Sequence, residues 1–318
     1  MPETSPNSGG KLLLAVCGLI LGAFSLLLVA VIGLLSTAAP SGAPALGRVA
    51  LWLPLVHAVA TPAGVPDALE LGLISQESGG DYLSTLENTN GTTDAGLGQI
   101  NSGPHPGNGH WAALGLLSDP YDPARNVAAS VQILAADIHG NGGDVSAGLY
   151  AYNGRTAANG ERYDPQYAPA VLTAAQEIDT AAELALWPVA GHTAARGRDT
   201  WLAPASAGAG LAYVIVAGAA PVGDPVTFGG QRWMPLALPG GLTASVGGAA
   251  VTVRPSTEAP SDLRGLMPPG AAYWWLLAPI TASPTSVSVA ATWDPGPAGP
   301  AGSGPHASAA ITLQQEGA

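Results

Sequence analysis

Hydropathy divides the chain into three unequal stretches. The first is marked by the run Leu12 to Leu35, which contains no charged residue. At about 1.5 Å per residue a helix of that length crosses a hydrocarbon core of about 30 Å, so the run predicts a membrane-spanning helix. Lys11 precedes it and the next positive charge is Arg48. That asymmetry places the N-terminus in the cytoplasm and the remainder outside. A cleaved signal peptide is the competing reading, with Lys11 as its basic region and Ala43-Pro44-Ala45 as a small-residue cleavage site. The run is longer than the usual apolar region of a signal peptide, which favours the anchor. Both readings export the rest of the chain. A segment rich in Ala, Pro, Gly and Ser, Ala38 to Gly47, then suits a tether.

In the middle stretch the apolar positions recur at helical spacing. Arg48 to Ala60 predicts a helix with Trp52, Val56 and Ala60 on one side. A second begins at Pro66 or Asp67, places Leu69, Leu73 and the Gln76/Glu77 end on one face, and stops at Gly79-Gly80. Asp122-Pro123 opens a third, with Val127, Val131, Leu134 and Ile138 as its core stripe, closed by Gly140 to Gly143. A fourth from Asp144 carries Tyr150 and Tyr152, and a fifth, from Pro165 to about Leu186, carries Val171, Leu172, Ala175 and Ile178.

After Trp187-Pro188 the period changes. Short apolar runs at Ala212 to Ala217, Trp233 to Leu238, Ala250 to Arg254, Tyr273 to Ala278, Ser286 to Trp293 and Ala310 to Gln314 are separated by Gly/Pro turns, the pattern of a β-sandwich or small barrel. Asp294 to Pro305 reads as a loop before the last strand. The expected fold class is therefore multidomain. Residues 1–47 hold the cytoplasmic N-terminus, transmembrane anchor and tether, 48–186 a mainly α domain, and 187–318 an all-β accessory domain. Trp274 and Trp275 could stack on sugar, but adjacent strand residues face opposite sides, so core packing is the better expectation.

Composition narrows the function. The 318 residues carry 10 basic and 22 acidic side chains, a net charge of −12, and Lys11 is the sole lysine. A phosphate-tracking basic surface is absent, so nucleic acid is not an expected partner. The single cysteine, Cys17, excludes an intrachain disulfide. His105 and His110 flank a Pro/Gly loop without an HExxH motif or Cys/His cluster, so neither a metal nor a cofactor is expected.

Candidate chemistry concentrates between Leu73 and Asn101. Glu77 ends an apolar helix, where the negative pole of the helix and lost hydration both favour a protonated carboxyl, the state a general acid needs near neutral pH. GLGQIN at Gly96 to Asn101 has glycines that allow close backbone approach, and Gln99 and Asn101 supply donors and acceptors. The plainer alternatives are a solvated helix-end carboxylate and an ordinary hairpin turn.

The series Glu77-Ser78-Gly79-Gly80, GLGQIN and AYN at Ala151 to Asn153 resembles, in this order, the three signature motifs of soluble-type lytic transglycosylases, members of the lysozyme-like superfamily. His110 to Ile138 is similar to the branch associated with type IV secretion and conjugation machines. The resemblance covers about Arg48 to Leu186. It implies a lysozyme-like (α+β) domain that cleaves the MurNAc-GlcNAc β-1,4 bond of peptidoglycan strands, with Glu77 as sole general acid/base. It further implies that Ser78 holds the sugar N-acetyl group, Gln99 lines the cleft, and Tyr152 with Asn153 orients Glu77 and glycan. Gly98 stands where the family usually has a large residue, a change expected to widen or loosen the subsite floor. Asp94 remains open. It follows Glu77 by 17 residues, as in a resembling stretch of chicken-type lysozymes, and would be the second carboxylate of a muramidase; otherwise it caps the Asn90 to Thr93 turn. A non-catalytic wall-binding component is the third alternative.

Overall fold

The computed structural model describes residues 47–103, 109–154, 164–180, 183–189, 211–238, 242–279, 287–293 and 307–313. The anchor, the signal-peptide alternative, Cys17, the tether as far as residue 46, His105 and the Asp294 to Pro305 loop all lie outside them. Among the described residues no helix is long and apolar enough to cross a membrane.

The helical stretch begins with a 3-10 turn, Gly47–Trp52, followed by α1 (Leu53–Ala63), which ends on left-handed Gly64. Pro66 is extended and starts α2 (Asp67–Ser78); Gly79 stops it in the left-handed conformation, as a C-terminal glycine does. A small antiparallel sheet follows in the order β1 (Thr85–Glu87), β2 (Thr93–Ala95), β3 (Ile100–Asn101). Next come a short α3 (Gly109–Ala113) and α4 (Pro123–Gly140), capped by Asp122, whose carboxylate accepts from the Arg125 N–H at 3.0 Å. Asp144 caps α5 (Val145–Asn153) in the same way through Ala147, and α6 (Tyr167–Thr180) completes the group.

Helix α6 ends six residues before the expected Leu186. The chain turns instead into β4 (Glu183–Val189), so the expected boundary at 186/187 falls inside a strand. Leu184 and Leu186 alternate into an apolar core, and pairing along β5 (Leu211–Pro221) outweighs the helical tendency of this Ala/Leu-rich stretch. Pro188, which has no N–H to give, is accommodated because β4 is an edge strand.

The remaining strands are β6 (Val226–Phe228), β7 (Gln231–Trp233), β8 (Leu236–Ala237), β9 (Thr243–Val246), β10 (Ala249–Val251), β11 (Arg254–Pro255), β12 (Trp274–Pro279), β13 (Val287–Trp293) and β14 (Ala307–Leu313). One sheet runs β11-β12-β5-β4 with β8 added to the end of β5; a second runs β10-β9-β13-β14. The stretch is not purely β: a 3-10 turn (Ser256–Glu258) and α7 (Ser261–Leu266) sit between β11 and β12.

Strand β5 joins the two halves of the described chain. Its Tyr213, Ile215, Ala217 and Ala219 share a core with α1, α2, α4, α5 and α6, while Val214, Val216 and Ala220 enter a second core with Leu184, Leu186, Val246 and Leu276. The alternation of a strand buried on both faces accounts for this. The described residues accordingly form one compact unit. Trp275 enters the first core, edge-on to Tyr213 at 5.8 Å, and Trp274 packs against the second. Both tryptophans therefore serve packing.

Candidate active site

Close helix approach positions Glu77. A Cβ added to Gly72 of α2 would lie 2.8 Å from the Ala175 Cβ and from the Val171 carbonyl of α6, so the two backbones meet where no side chain fits. The contacts run in opposite directions along the helices. Five residues after Gly72, Glu77 therefore comes opposite Tyr167, four residues before Val171. The buried Tyr167 hydroxyl donates a hydrogen bond to Glu77 Oε1. Burial first, and then the negative charge of Glu77, push the Tyr167 phenol up, so it remains a donor.

The GLGQ turn is held from the other side. Asn126 of α4, fully buried, accepts from the Gly98 N–H at 2.8 Å and donates to the carbonyls of Ala95 and Pro120, each at 2.9 Å. Gly96 has a φ of 78°, and a Cβ there would lie 2.2 Å from Asn126 Nδ2. Gln99 is the one positive-φ residue other than glycine among the described residues, at 48°. That conformation costs roughly 1–2 kcal/mol. Its own amide offsets part of the cost by donating to Ser84 O at 3.0 Å and Gly96 O at 2.9 Å.

Gly98 does not leave a widened floor. An added Cβ would lie 2.8 Å from the Ser130 side chain and 2.9 Å from Tyr152 Oη. The expected loosening is thus replaced by close packing: Tyr152 Oη donates to Gly98 O at 2.7 Å and lies 3.1 Å from Ser130 Oγ. Tyr152 is within electrostatic reach of Glu77; burial, then the charges of Glu77 and Glu70, raise its phenol well above the ordinary value. A hydrogen bond to Glu77 is donated by Tyr167.

The remaining candidates divide. Ser78 Oγ donates to Ile74 O and accepts from Gly80 N–H, both at 3.2 Å, and so closes α2. Asn101 is spent within the protein: its amide donates to Asp94 Oδ1 at 2.6 Å and Thr92 Oγ1 at 2.9 Å, and its oxygen accepts from Gly103 N–H at 2.8 Å. Asp94 also accepts from Asn88 Nδ2 at 2.9 Å. The turn cap considered for Asp94 belongs instead to Asn90, which accepts from Thr92 N–H at 3.0 Å. Asn153 ends α5 beside residues 155–163, which lie outside the described set. Among the described residues no group of three or more His, Cys, Asp or Glu could hold a metal ion.

Four residues that build the candidate site were not singled out by sequence reasoning: Glu70, Asn126, Ser130 and Tyr167. Each is a polar or phenolic side chain within an apolar helical stripe, and that placement was the available signal. Glu70 is the most unusual. It is wholly buried on α2, neither carboxyl oxygen has a hydrogen-bond partner, and its acidity is pushed up to about 8. Burial dominates, the nearby Ser130 hydroxyl opposes it, and the charge of Glu77 adds to it.

No protein-family model matches this chain, and no curated protein does. The geometry must therefore carry the chemistry. What it provides is a carboxyl at a helix end, a buried phenol donating to it, and a strained turn pinned by Asn126. Replacing Asn126 with Ala leaves the Gly98 N–H and two carbonyls without these partners. At about 1–3 kcal/mol for each buried group left unsatisfied, urea denaturation is expected to show a loss of about 3 kcal/mol or more.

Proposed function

We propose that the chain is a peptidoglycan lytic transglycosylase of the lysozyme-like superfamily, acting on MurNAc-GlcNAc strands outside the cytoplasmic membrane. The observation that carries this reading is the Glu77–Tyr167 hydrogen bond at the end of α2, with Tyr152 close by. One carboxyl suffices for the reaction. Glu77 protonates the glycosidic oxygen as the bond breaks, while the sugar's own N-acetyl oxygen attacks the anomeric carbon. Glu77, now a carboxylate, takes the C6 hydroxyl proton as that oxygen displaces the acetamido oxygen and closes a 1,6-anhydro ring. Tyr167 holds Glu77 in one orientation throughout. The apolar run Leu12 to Leu35 would tether the enzyme to the membrane, and local opening of the wall would serve a secretion or conjugation complex.

A hydrolytic reading retains one specific observation: both Asp94 oxygens accept from side-chain amides, which fixes the carboxyl in place. Asp94→Asn separates the two mechanisms. Peptidoglycan solubilisation by residues 46–318 should keep at least about a tenth of its wild-type rate if Asp94 only braces the sheet, since one lost hydrogen bond is worth about 1 kcal/mol. A nucleophilic or electrostatic role would instead cost on the order of 10²-fold or more.

A further inference from the structure

We propose that Glu70 is a positioning residue of this same site, working in its neutral form and donating its carboxylic hydrogen to Ser130, and through Ser130 to Tyr152 and the Gly98 carbonyl. The proposal rests on the transglycosylase reading for its effect on catalysis, but its structural basis is the hydrogen count. The Gly98 carbonyl can only accept, so the Tyr152 hydroxyl hydrogen is committed to it at 2.7 Å. The 3.1 Å contact between Ser130 and Tyr152 then requires Ser130 to donate, because Tyr152 has no second hydrogen. With its only hydrogen spent, Ser130, the hydroxyl beside Glu70, can offer Glu70 only an acceptor. A carboxylate there would meet oxygen lone pairs, whereas a carboxylic acid completes the chain.

The surroundings favour the neutral acid. Glu70 is wholly buried beside Ser130, and neither of its oxygens accepts a hydrogen bond. Glu77 lies two turns later on the same helix, and its charge repels an ionised Glu70. α4 contributes Ser130, α5 contributes Tyr152 and α6 contributes Tyr167; both phenols are raised in part by Glu70 itself. From α1 comes His57, which is engaged at 2.7 Å by Asp67 at the start of α2. Ionising Glu70 would draw the Ser130 hydrogen away from Tyr152 and release the prop beneath Gly98. It would also place a second negative charge near Glu77.

Two measurements on residues 46–318 test this. In the folded protein Glu70 holds its proton to about pH 8, against an ordinary value of 4.5. Between those values the folded state binds more protons than the unfolded state, so stability falls as pH rises through that window. Urea denaturation from pH 5 to 8 should show the fall in wild type and a flatter dependence in Glu70→Gln and in Glu70→Met. Above about pH 8 the kcat/KM of wild type on purified peptidoglycan should show a loss additional to the one set by ionisation of the general acid Glu77. Glu70→Gln, whose amide donates as the acid did, should keep its neutral activity and lack that additional loss. Glu70→Met should lose about tenfold in kcat at neutral pH with little change in KM. An unchanged stability slope in both variants overturns the proposal, as does a folded Glu70→Gln that is inactive at neutral pH. Absence of lysis at every pH, with the slope still flattened by substitution, supports the neutral Glu70 and overturns only the enzymatic reading.

Discussion

Glu77→Gln is expected to abolish clearing in a gel containing peptidoglycan and to lower kcat by about 10³-fold or more, because in the proposed mechanism one group acts as both acid and base. The substitution isolates the proton. Glutamine has the size of glutamate, and its carbonyl oxygen can still accept from Tyr167, so the α2–α6 contact made by Gly72 with Val171 and Ala175 is retained. Thermal unfolding should therefore stay close to wild type while activity disappears. Retained clearing would remove Glu77 from the chemistry. A wild type that clears nothing would leave the wall-binding alternative.

The second large effect concerns the β-rich stretch. Residues 48–186 alone should show no cooperative unfolding transition, whereas residues 46–318 should. The reason lies in the shared core: Ile215, Trp233 and Leu263 are each at most 1 % exposed and pack in the same cluster as the helices. Full burial of such a side chain contributes about 1.5–3 kcal/mol, and a domain's whole stability is about 5–15 kcal/mol. Removing these three, with Tyr213, Trp275 and the others of that face, takes away more than the helices have to spare. Two polar contacts go as well. The Met234 N–H donates to Asp179 of α6 at 2.6 Å, and the Ala272 N–H donates to Leu51 O at 3.0 Å. A truncated chain that melts cooperatively, measured by circular dichroism, would show that the β-rich stretch is an appendage.

What the sequence disclosed depends on how local each cause is. Helix ends set by Asp122, Asp144 and Gly79 were legible because the capping group lies within a few residues of what it caps. Strand alternation likewise placed Trp274 and Trp275 on opposite faces. Long-range causes were hidden. The Glu77–Tyr167 pair spans 90 residues and depends on the close approach at Gly72. Gly98 looked like a missing side chain because Ser130 and Tyr152, which fill its space, come from two other helices. The shortened α6 reflects a strand partner that arrives later in the chain, at β5. Single alternating strands likewise could not reveal that one sheet face would be covered by helices and the other by a second sheet.

Whether Glu77 completes the reaction with one carboxyl is decided by the mass of its products. Purified peptidoglycan digested by residues 46–318 should yield muramyl termini lighter by one water than reducing termini, as ring closure at C6 requires. Reducing termini of full mass, lost on Asp94→Asn, would contradict the one-carboxyl mechanism and make the enzyme a muramidase.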